Sequence, residues 1–151
     1  MRAYRCVAMV AIALSVVFVE GCGPDPAKVA ADVAKAEADA QKKIADARAD
    51  FEKTSAEIRK NINVAQADAD QAAAKANPPG TDVSDAETDG RRKLAKAQYQ
   101  FDMATYDANL TVAKAKCGNQ SGDAKKSCED AAQAKHDADV AAAKTRADAI
   151  P

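Results

Sequence analysis

From Ala27 to Ala76 the chain runs for about fifty residues without a glycine or a proline. Nothing there interrupts a helix, and at 1.5 Å per residue an unbroken one would reach about 75 Å. Its small and apolar residues recur at Val29, Val33, Ala36, Ala40, Ile44, Ala47, Phe51, Ser55, Ile58, Ile62, Ala65 and Ala69. Steps of three and four place them on one face. Val29, Ala40, Phe51, Ile62 and Ala73 recur every eleven residues, a period of about 3.67 per turn that suits a straight or slightly right-handed helix over a heptad supercoil. An alanine-rich amphipathic helix with an approximate period fits the same positions. The other face is polar, with supporting pairs such as Asp39 and Lys43.

The chain holds 39 alanines in 151 residues, and beyond position 21 only seventeen large apolar side chains. Such a chain cannot bury an ordinary globular core. Its order has to come from helix propensity and from narrow seams between helices. The expected fold class is all-α: a signal helix, one long alanine-rich helix, then a helical hairpin, as an extended coil or a loose three-helix bundle. Lysine and arginine total 22 against 23 aspartates and glutamates, with the signs interspersed. No basic face is present to release counterions, which argues against nucleic acid as a partner.

Asn77-Pro78-Pro79-Gly80 is the clearest break, because prolines and glycine stop a helix and allow a reversal. Ser84-Asp85-Ala86-Glu87 has capping-box form, and Gly90 softens the turn after it. Residues 77–90 therefore read as linker and cap, with a helix from about Arg91 to Lys116. That helix has two apolar stripes. Leu94, Phe101, Ala108 and Ala115, with Thr105 and Val112, form one; Tyr99, Met103, Tyr106 and Leu110 form the other. A helix with two stripes wants two neighbours, which predicts a central position between the first and third helices. The Tyr99, Met103, Tyr106 and Leu110 stripe reads either as core or as a docking face for a partner. Gly118 ends the helix, and Ser121 or Asp123 caps a third, from about Ala124 to Ala149. That third helix has mainly Val140, Ile150 and alanines to bury, so it is expected to fray toward Pro151.

The N-terminus reads as an export signal. Met1 to Arg5 is a short positive region, and Cys6 to Val19 is an apolar run interrupted only by Ser15. A span takes about 20 apolar residues, so this run is short for a transmembrane helix and right for a secretory signal. Val19-Glu20-Gly21-Cys22 is similar to the cleavage sites of bacterial lipoproteins, although Glu20 is an uncommon choice there. That resemblance implies removal of residues 1–21, diacylation of Cys22 as the new N-terminus, and Cys22 to Pro26 as a tether. Ordinary signal cleavage near Gly21 is the competing outcome. Gly23 after the cysteine, in place of aspartate, favours the outer membrane by analogy.

Of four cysteines, Cys6 leaves with the signal and Cys22 is the lipid site, which leaves Cys117 and Cys128. In an exported protein such a pair reads as a disulfide. A metal site would need a second pair of ligands, and the single histidine, His136, lies eight residues on; free thiols are the remaining option. The stretch from Cys117 to Cys128, followed by Glu129 to Lys135, resembles small exported proteobacterial proteins that are Ala/Lys-rich, helical and often labelled TolA-like or cell-envelope lipoproteins. The likeness covers about residues 91–145, and Gln120 departs from the larger apolar residue usual in that loop. It implies location more than mechanism.

No pairing of histidine with carboxylate or cysteine is suggested by spacing, and there is no phosphate-cradling loop or nucleophile elbow. His136, in Lys-His-Asp on a polar helix, reads as a solvated surface residue. Neither an enzyme nor a cofactor or metal is expected. Two roles remain. One is a membrane-anchored periplasmic lipoprotein with a structural or envelope-maintenance role, a spacer able to self-associate through its alanine seam. The other is a periplasmic binding or chaperone-like module that uses the Tyr99 stripe.

Overall fold

The computed structural model describes residues 24–75 and 82–150. The signal, the lipid site Cys22 and the Pro78-Pro79-Gly80 break lie outside the described residues. Those described form three α-helices and one short 3₁₀ turn, with no strand among them.

Helix α1 runs from Pro26 to Ala74, 49 residues or about 74 Å of axis. Asp25 caps it by accepting a hydrogen bond from the Ala27 N–H at 2.9 Å. Pro26 is thus the first helical residue, not the end of the tether, because proline lacks only the backbone N–H that the first turn would leave without an intrahelical partner anyway. All twelve positions read from Val29 to Ala69 as one face are covered, with Ala40 and Ile58 buried. The eleven-residue series holds through Ile62 and then slips, for Ala73 is exposed and Ala72 is covered. An ordinary α-helical period explains this better than a superhelical one.

Helix α2 spans Asp82–Lys116, 35 residues. It starts well before Arg91, so residues 82–90 are helix and not linker. Gly90 sits inside it and is buried. Its cost to helix propensity is offset by close packing, since a Cβ there would lie 3.0 Å from Ile58 and 3.1 Å from Ile62. α1 and α2 run antiparallel. Gly118 lies against Val29, Lys116 pairs with Glu37 at 2.9 Å, and the Phe101 and Phe51 rings stand 6.0 Å apart. The alanine seam of α1 thus faces α2 within one chain.

After the 3₁₀ turn Cys117–Asn119, helix α3 covers Gly122–Asp148 and packs back on α2. Gly122 has φ +56°, a conformation glycine adopts without strain. α2 lies between the other two helices: no residue from Phe101 to Tyr106 is fully exposed. Among the described residues, α1 and α3 make no close backbone approach to each other. The core is accordingly thin. Its buried members are Ala40, Ile58, Ala97, Ala108, Cys117 and Ala143.

Candidate functional site

The face of α2 that meets α3 carries the chemistry of this molecule. Cys117 and Cys128 form a disulfide with Cα atoms 5.8 Å apart, at the turn between the two helices. Beyond it, the junction is polar. Lys114 Nζ donates to Gln133 Oε1 at 2.9 Å, and Gln133 Nε2 donates to Asp137 Oδ1 at 2.9 Å. His136 lies between two carboxylates, with Nε2 2.9 Å from Asp107 and Nδ1 3.1 Å from Asp137. Further along, Arg146 donates to Asp102 at 3.0 Å and to the Tyr106 hydroxyl at 3.2 Å. Within α3 only Ala143 is fully buried. The helix is held by a covalent staple and a ladder of polar contacts more than by apolar burial.

His136 departs from the sequence reading. Its side chain is 14 % exposed, so it is a bridge between helices and not a solvated residue. Hydrogen bonds to Asp137 and then Asp107 raise its pKa, and the same imidazole holds the Asp137 carboxyl below its usual range. Its spacing of eight from Cys128 gave no sign of this. The signal was available only through register: once the cysteines are paired, an antiparallel hairpin carries His136 back to Asp107.

Tyr99, Met103, Tyr106 and Leu110 are all half-buried. Tyr106 meets Arg146 of α3, and Tyr99 lines a cleft with Ala143. The stripe is therefore covered on one side by α3 and partly open to solvent. The opposite stripe packs toward α1, with Ala108 fully buried and Phe101 against Phe51. Leu94 stands apart from it, 38 % exposed in the same cleft as Tyr99.

That cleft, about 510 Å³, opens where α3 ends, and all three helices contribute to it. Phe51, Leu94, Tyr99 and Ile150 are its large apolar lining residues, and Arg91, Gln98, Asp102 and Arg146 its polar ones. No group of three or more metal-ligating side chains occurs among the described residues. No described helix is long and apolar enough to cross a membrane. Comparison with family models, curated proteins and solved structures finds no match to this chain.

Proposed function

We propose that this chain is a lipid-tethered spacer of the bacterial cell envelope, anchored through Cys22, facing the periplasm and serving a structural role without catalysis. The outer membrane is its favoured host. The carrying observation is the placement of α1, a 49-residue helix that begins four residues after Cys22. The start of α1 lies beside the 3₁₀ turn, where Val29 meets Gly118. In a tethered molecule the disulfide-stapled end then sits at the membrane. The far end of α1, at Ala74, then lies about 70 Å away, the rise of a helix of this length. The export signal and the likeness of the Cys117–Cys128 hairpin to envelope lipoproteins support the same address. Acyl chains on Cys22, at about 0.8 kcal/mol per buried methylene, would hold such a tether stably.

The test is the intact mass of the protein recovered from membranes, for wild type and Cys22→Ala. A diacylglycerol-sized addition present only in wild type upholds the proposal. An unmodified product cleaved near Gly21 removes the tether and with it this reading.

A second reading, a binding or chaperone-like module, draws on the half-buried Tyr99, Met103, Tyr106 and Leu110 stripe beneath a polar helix. Tyr99→Ala with Tyr106→Ala separates the two. Loss of helix content marks the stripe as core, whereas an intact fold with lost binding of a hydrophobic dye marks a docking face.

A further inference from the structure

We infer that the Cys117–Cys128 disulfide is a reversible latch: exchange with an external dithiol, entering at Cys128, releases α3 and uncovers the Tyr99, Met103, Tyr106 and Leu110 face of α2. Such a latch goes beyond the spacer role and works whether or not Cys22 carries lipid.

The two sulfurs are not equivalent. Cys117 is 1 % exposed at the end of α2, whereas Cys128 is only half-buried on α3. A thiolate needs access to the sulfur it attacks, so Cys128 is the point of entry. The new S–S bond forms on Cys128 Sγ, the old one breaks, and its electron pair leaves on Cys117 Sγ. The second thiolate of the dithiol then attacks the first sulfur of the same dithiol and releases Cys128. The dithiol ends as a disulfide, and its two protons end on Cys117 and Cys128.

How readily the bond opens depends on what holds the reduced thiols together. Within α3 only Ala143 is fully buried. The polar ties of α3 to α2 are Lys114 with Gln133, His136 with Asp107, and Arg146 with Asp102 and Tyr106, all near solvent. Exposed contacts of this kind hold weakly. Once reduced, the two thiols are joined by little more than the turn between them. Their effective concentration then drops to the millimolar range of a short flexible link.

The face beneath α3 follows from register. Asp102, Tyr106, Asp107, Lys114 and Cys117 of α2 all meet α3. At about 100° per residue, Tyr99, Met103 and Leu110 fall inside the arc that these positions span. The opposite stripe stays packed on α1, with Ala108 fully buried and Phe101 against Phe51, so α2 keeps a partner when α3 leaves.

The experiment uses the chain carrying Cys6→Ala and Cys22→Ala, whose cysteines are then Cys117 and Cys128 alone. It is equilibrated in mixtures of reduced and oxidised glutathione, two glutathiones supplying what one dithiol would, then quenched with acid, alkylated and weighed. Half-reduction is expected where the squared concentration of reduced glutathione, divided by that of the oxidised form, is in the millimolar range. A midpoint above about 1 M, the mark of thiols held rigidly together, overturns the latch. Peptide mapping of the mixed disulfide should find glutathione on Cys128, and its predominance on Cys117 overturns the point of entry. Peroxide oxidation of Met103 reports the uncovered face. Cys117→Ser with Cys128→Ser should speed it several-fold, because oxidation follows exposure, while circular dichroism retains the helicity of α1 and α2. An unchanged rate, or loss of all helicity in that variant, overturns the release of α3.

Discussion

A Cβ built on Gly90 would lie 3.0 Å from Ile58 Cγ2, so α2 packs tightly on α1 at a position where it has no side chain. Ile58 is buried and its β-branched side chain has little room to turn. Two effects therefore oppose each other at this position. Alanine would gain about 1 kcal/mol of helix propensity and lose a similar amount to crowding against Ile58. A larger residue has no such compensation.

Gly90→Ala should accordingly leave the melting temperature nearly unchanged, while Gly90→Val should cost about 1–3 kcal/mol through overpacking. Gly118→Ala is the control, because its Cβ would meet Val29 at an ordinary 3.8 Å. Gly122→Ala should cost about 1–2 kcal/mol for a different reason, the positive φ of +56° at that residue. Thermal melts of the four variants check the order. A Gly90→Val protein as stable as wild type would mean that the helices are not in this register.

The contrast between Ile58 and Gly90 also shows what the sequence could and could not convey. The face of α1 was legible residue by residue, because a period near 3.6 needs no partner to be seen and a fifty-residue run leaves no room for another element. The two stripes of α2 pointed to its central place, and the cysteine pair pointed to the hairpin. Gly90 misled because glycine usually marks a helix end. Its reason for being inside α2 lies about thirty residues away, in Ile58 and Ile62. The cleft was illegible for a similar reason: Phe51, Leu94, Tyr99 and Ile150 come from three helices, and only the end point of α3 decides that they meet.

The disulfide should matter locally rather than globally. It joins residues eleven apart in sequence, a closure worth about 3 kcal/mol in the chain-entropy account. α3 buries little besides Ala143, and its backbone comes close only to α2 and the turn. Cys117→Ser with Cys128→Ser, or reduction of wild type, should therefore release α3 while the α1–α2 pair persists. Limited proteolysis should then cut within 122–148 first, and circular dichroism should show loss of one helix. A single cooperative loss of all helicity would show that α3 is integral to the core.

Ionic strength should loosen the same helix. The contacts between Arg146 and Asp102 and between His136 and Asp107 cross the α2–α3 junction near solvent, and screening shortens from about 10 Å at 0.1 M salt to about 3 Å at 1 M. Hydrogen exchange in α3 should quicken at high salt while exchange at Ala97 and Ala108 stays slow. Arg146→Ala should reproduce the effect at low salt for the C-terminal half of α3. Equal salt sensitivity in α1 would count against a polar attachment specific to α3.

His136 gives the junction a pH dependence whose sign follows from its partners. Both ring nitrogens face carboxylate oxygens, Asp137 and Asp107, an arrangement that favours the imidazolium, which donates from both. The groups that face it across the junction are Asp107 of α2 and, through Gln133 and Asp137, Lys114 of α2. The folded-state pKa is raised, first by Asp137 and then by Asp107. The stabilisation is therefore complete below the unfolded value of about 6.5 and is lost as pH rises through the higher folded value. It fades again only when the carboxylates protonate, and His136 itself holds Asp137 below its usual range. Protection of α3 from hydrogen exchange, corrected for the intrinsic rate, should increase from pH 8 to pH 6, and His136→Gln should flatten that profile. If wild type shows no change across this interval, or the variant keeps the same slope, the imidazolium does not hold α3 to α2.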